Sequence, residues 1–136
     1  MAYVVLVTWL VQGAAGIVLL TKWLRHGRRG ATTVLTHVAC GVVALGFWIA
    51  FLATGAVAFA WTAFVIITIG NGIGDSMLVQ RWRRTTGQTN GYWQDYGQVV
   101  KATLTGRVPA SVIFHAWFSP VVYFTCLGVC IGATVA

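Results

Sequence analysis

Two histidines are the residues of this chain best placed to do chemistry. His37 comes eight residues after Arg29, and His115 comes eight residues after Arg107. Both stand inside long apolar runs. A neutral imidazole presents one nitrogen lone pair and one N–H. This suits a metal ligand whose second nitrogen is oriented by a nearby acceptor. The third polar candidate is Asp75, the one carboxylate within an apolar run, with Asn71 one helical turn away on the same face. Acids at bilayer depth are costly and point to function by default. Asp75 has three readings: accepting a hydrogen bond from a histidine ligand, carrying protons, or pairing with an arginine of the first basic segment. Asp95 lies in a polar stretch and reads as solvated, as does His26. The chain shows no nucleophile–base set, which argues against an enzyme acting alone.

These residues must be held by membrane helices. The chain is 58% hydrophobic and 8% charged over 136 residues, against about 25% charged in soluble domains. The reading is a single all-α transmembrane domain, an up-down bundle of four helices at about 3–21, 31–53, 56–79 and 109–133. Each is close to the roughly 20 residues that cross a bilayer. Thr54-Gly55 marks a tight turn, and Pro109 suits the first turn of its helix, where a missing N–H costs nothing. All nine Lys and Arg fall in the segments 22–30 and 80–108. Short basic loops stay cytoplasmic, so both termini are expected outside and the protein in the cell inner (plasma) membrane. The net charge of +7 is thereby accounted for without nucleic acid. No basic residue precedes the first apolar run, so that run reads as an uncleaved helix and not as a signal peptide. The second connection reads as a loop followed by a short interfacial helix carrying Tyr92, Trp93 and Tyr96. A docking surface for a partner is its sharper alternative. Cys126 and Cys130 share a helix face and read as packing residues, and Gln12 as a polar group bonding another helix.

The histidines also lie on a weak internal repeat. Residues 29–37 align without gaps on residues 107–115, matching Arg, Val34 with Val112, and His, and each segment follows a basic cluster containing Trp. At 1.5 Å per residue both histidines sit about 12 Å deep on the basic side. Their helices are diagonal in an up-down bundle, with axes roughly 11–14 Å apart. That is too wide for direct contact between small side chains, and it suits a flat macrocycle held edge-on between two axial imidazoles. One haem b is the cofactor this pattern suggests. Gly41 and Ser119, one turn beyond His37 and His115, leave room for its faces, and Gly70-x-x-x-Gly74 permits close approach of a helix or a cofactor edge. Arg29 and Arg107 are candidate partners for the propionates. A helix carbonyl or Thr33 would orient His37, and Ser111 would orient His115. The alternatives are histidines that only bond neighbouring helices, or a bare metal or proton site.

Four helices with paired histidines on the second and fourth resemble small membrane b-type cytochromes, such as the cytochrome b561-like group and the haem-bearing anchors of succinate dehydrogenases. Arg107-Val108-Pro109 followed by His115 is also similar to a group of short actinobacterial four-helix membrane proteins. The resemblance implies haem b ligated by His37 and His115, with electron exchange with quinone or a partner. The chain departs from the b561 pattern in lacking a second histidine pair near the other face, so at most one haem is implied. The expected function is a single-haem membrane subunit within a larger redox complex or a homo-oligomer. A cofactor-free accessory subunit is the alternative, and a small proton-coupled or ion-conducting oligomer the next.

Overall fold

The computed structural model describes residues 1–26 and 28–135; Gly27, within the 22–30 connection, and Ala136 lie outside the described residues. Five helices follow in order: α1 (Ala2–Arg25), α2 (Ala31–Thr54), α3 (Val57–Thr86), α4 (Tyr92–Leu104) and α5 (Ala110–Val135). All but α4 are long and apolar enough to cross a membrane. A lipid-spanning chain must satisfy its backbone internally, and helices do this within one segment. The predicted turn between the second and third spans is present. Gly55 adopts φ 71°, and its N–H caps the Phe51 carbonyl at 2.8 Å. A residue with a Cβ pays steric strain in that left-handed conformation.

The spans form a ring. Its heaviest seams are α2 on α3 and α1 on α5; α3 on α5 and α1 on α2 close it, leaving α2 opposite α5 and α1 opposite α3. Exchanging the pair α1–α2 with the pair α3–α5 maps the two heavy seams onto each other and the two lighter ones likewise. The order of the seams is thus compatible with the two helical hairpins that carry the 29–37 and 107–115 repeat.

Packing differs between the two halves. The apolar core lies towards the turn at Gly55 and contains Val5, Trp9, Trp48, Ala60, Val122 and Cys126. Trp48 is fully buried, and its indole N–H donates to the Ala2 carbonyl at 3.2 Å. Cys130 joins Cys126 there, and both thiols are free. On the basic side of this core, α1 beyond Trp9, α2 before Ala44 and α5 before Val122 bury no residue. The histidines lie in this half, both half-buried.

The long polar connection is more ordered than its sequence suggests. α3 continues past the expected end at Val79 to Thr86 and stops where Gly87 takes φ 70°. The expected interfacial helix is α4, and it packs on α3 with Val99, Ala102 and Thr103 buried. Asp95 is not solvated but fully buried. Its carboxylate accepts from Arg83 Nε at 2.6 Å and from the Asn90 backbone N–H at 3.3 Å. The Arg83 Nη2 group also donates to the Asn90 carbonyl at 3.2 Å. One α3 arginine thus holds both the α4 acid and the turn before it. Burial works to raise the Asp95 carboxyl, but Arg83 and Asn90 outweigh it and hold the group below its ordinary value. A carboxylate three to five residues into a helix also complements the positive end of the helix dipole.

Candidate functional site

His37 and His115 meet in the middle of the bundle. Their ring centres are 6.1 Å apart and their planes are 77° to each other. The helix axes stand across a diagonal, but each imidazole reaches inward far enough to close most of that gap. The rings share one level, and each packs against a helix on its own side of the ring of helices.

His37 packs on α3. Its Nδ1 lies 2.9 Å from the Gly70 carbonyl oxygen. A carbonyl only accepts, so Nδ1 carries the hydrogen and the Nε2 lone pair stays free. Of the expected orienting groups, the helix carbonyl is therefore the one used, and not Thr33. Gly74 makes this approach possible, because a Cβ there would come within 3.1 Å of His37 Cε1. Gly70 brings α2 close by a different contact, since a Cβ on it would lie 3.0 Å from the Cys40 Cβ. The Gly70-x-x-x-Gly74 pair thus receives helix α2 and its histidine.

His115 packs on α1, without the hydrogen bond that His37 makes. Its ring lies beside the Gln12 backbone carbonyl, and a Cβ on Gly16, one turn further, would come within 3.3 Å of His115 Cε1. Each histidine therefore faces a carbonyl at one position of the adjoining helix and a glycine four residues later. The Gln12 side chain bonds the neighbouring helix, as expected, by donating from Nε2 to the His115 carbonyl at 2.9 Å. Ser111, expected to orient His115, instead takes a hydrogen bond from Lys22 Nζ at 3.1 Å. His115 Nδ1 and Gln12 Oε1 are left buried without partners. Buried polar atoms are rarely left unpaired, and such orphans ask for an explanation.

The remaining predicted residues divide. A Cβ at Gly41 would meet nothing within 4 Å, so open space lies beside His37 one turn deeper. Ser119 donates to Asn71 Oδ1 at 2.9 Å, tying α5 to α3. Asp75 faces neither histidine nor an arginine of the first basic segment. Its neighbour is the Tyr96 hydroxyl of α4. Burial, reinforced by the negative charge of Asp75, raises the Tyr96 phenol above its ordinary value. Arg29 is exposed, and its carbonyl accepts the Trp23 indole N–H at 2.8 Å. Arg107 is exposed too, and lines a cavity with Arg81 away from the histidines. His26 ends α1, with Nδ1 2.6 Å from the Lys22 carbonyl.

Sequence reasoning missed Gly16 and Pro120. Gly16 was legible as a glycine on the first span, but only its position opposite His115 gives it meaning. Pro120 lies inside α5 five residues after His115 and has no N–H for the Ala116 carbonyl, a local weakness in the helix backbone. Comparisons with protein-family models, with curated proteins and with solved structures return no match to this chain.

Proposed function

We propose that the chain holds one haem b between His37 and His115 and works as an electron-carrying subunit of a cell inner (plasma) membrane, with its basic side cytoplasmic. The observation that carries this reading is the histidine separation. Two imidazoles bound to one first-row metal from opposite sides, each at about 2.0–2.1 Å, hold their ring centres about 6.3 Å apart. The observed 6.1 Å, between rings set edge-to-face on diagonal helices, is compatible with that spacing.

Other features support the same fit. His37 has its Nδ1 engaged and its Nε2 lone pair free, as an oriented axial ligand requires. Gly74 and Gly16 let the His37 and His115 rings lie close against α3 and α1, which holds each imidazole in place. Among the described residues no cluster of three or more His, Cys, Asp or Glu is present; a bis-imidazole haem site needs none. When bound, haem b would supply a one-electron redox centre. The protein's part is to fix two neutral imidazoles, keep the site in an apolar setting, and present Arg29 on the side where propionates would emerge, Arg107 being turned to a separate cavity.

The size of the chain favours work inside a larger redox complex or an oligomer, with quinone as a candidate electron partner. The test is an optical spectrum of purified protein, oxidised and then dithionite-reduced, beside His37→Ala and His115→Ala. A Soret shift and a sharp α-band on reduction, lost in both variants, is expected. Folded wild-type protein that stays featureless after being supplied with haem would overturn the reading and favour a cofactor-free accessory subunit.

A further inference from the structure

The connections differ between the halves of the internal repeat. In the first half, the tryptophan of the basic cluster closes its own connection, with Trp23 Nε1 donating to the Arg29 carbonyl at 2.8 Å. In the second half α4 is inserted, and the corresponding tryptophan, Trp82, has a buried Nε1 with no partner. Trp82 lines a cavity of about 330 Å³ with Arg81, Thr85, Thr86, Arg107 and Pro109. The lining joins two arginines and two threonines to the apolar side chains of Val99, Val108 and Pro109. The ion pair found among the described residues, Arg83 with Asp95, involves neither Arg81 nor Arg107.

We infer that this cavity, between the end of α3, α4 and the start of α5, is a seat for a phosphate-bearing anion. Guanidinium groups bind phosphate oxygens in charge-assisted, often bidentate pairs. The Trp82 ring forms part of the wall, but its N–H is buried out of reach of the cavity, so the two arginines are the groups that would hold the anion. The cavity lies at the basic end of the spans, level with the headgroup zone, and Pro109 places it next to the start of α5. The phosphate of an anionic phospholipid fits this position; a free phosphate shares the chemistry. The inference is independent of the haem proposal, because it is read from bound lipid and not from absorbance.

The test is native mass spectrometry of the full chain purified into neutral detergent and exposed to equal phosphatidylglycerol and phosphatidylcholine. Wild-type protein should retain phosphatidylglycerol in preference. Arg81→Gln with Arg107→Gln should weaken that retention by at least about tenfold, the loss that goes with removing a direct charge-assisted contact. Trp82→Phe, which keeps the ring and removes only the buried N–H, should leave it nearly unchanged. Lys22→Gln with Arg25→Gln removes the same charge from the other basic segment and should leave retention unchanged. Equal losses in both double variants, or no loss in the Arg81/Arg107 pair, would overturn the site. Inorganic phosphate at millimolar concentration that displaces the lipid and is itself retained supports a free-phosphate seat; failure to displace it supports the lipid.

Discussion

Glycine on these helices has two different uses, and substitution separates them. Alanine in place of glycine normally stabilises a helix interior by about 1 kcal/mol. At Gly128 nothing lies within 4 Å of the added Cβ, so Gly128→Ala should be neutral or stabilise by up to about 1 kcal/mol. At Gly70 the new Cβ would press on the Cys40 Cβ at 3.0 Å, an atom anchored to the α2 backbone. Overpacking of that kind costs about 1–3 kcal/mol, so Gly70→Ala should give a net loss of stability in a detergent unfolding assay. At Gly74 the neighbour is the His37 ring edge at 3.1 Å, which can rotate. Gly74→Ala should therefore leave stability nearly unchanged and alter the reduced α-band or the midpoint potential of haem-loaded protein. An unaltered potential in Gly74→Ala would count against close seating of His37 on α3. The glycines were visible in the sequence as small residues on apolar runs. Which one meets a backbone-proximal atom and which a rotatable ring was not visible, because that depends on the rotation of each helix about its axis.

At the scale of elements, α4 depends on one charged contact. Its acid, Asp95, is 0% exposed, and Arg83 of α3 bonds it at 2.6 Å. Asp95 is held below its ordinary carboxylate value, so the carboxylate form is the one the folded state prefers. The stabilisation is complete above about pH 4 and is lost as pH falls through the lowered value. Asp95→Asn should loosen α4, raise hydrogen exchange of residues 92–104, and remove the acid-dependent part of that exchange. Arg83→Gln should loosen α4 as well and leaves a buried carboxylate without its cation, the costlier defect. Unchanged exchange in both would mean that Val99 and Ala102 alone hold the helix. An amphipathic segment rich in Tyr and Trp was legible at 92–100. Burial of Asp95 was not, because a lone acid in a polar stretch looks solvated until the arginine twelve residues earlier is placed beside it.

For the whole molecule, the charge distribution makes a claim about orientation. All Lys and Arg lie at one end of the bundle, and Ala56 stands exposed at the other. In a background with Cys40, Cys126 and Cys130 replaced by alanine, an impermeant thiol reagent applied to intact cells should label Ala56→Cys and spare Trp93→Cys, a position 79% exposed. The reverse pattern would invert the topology expected from the basic loops. The spans, their turn at Gly55, the common depth of the histidines and the short repeat were set by the sequence alone. Hydropathy and the fixed rise of a helix are local properties, and they place residues along the bundle axis. Tertiary structure decided what lies around that axis: His37 against Gly70 and Gly74, His115 against Gln12 and Gly16, Asp75 facing Tyr96, and Trp82 left without a partner. Those pairings depend on the rotational phase of each helix and on which seams close, and both emerge only when all five helices pack together.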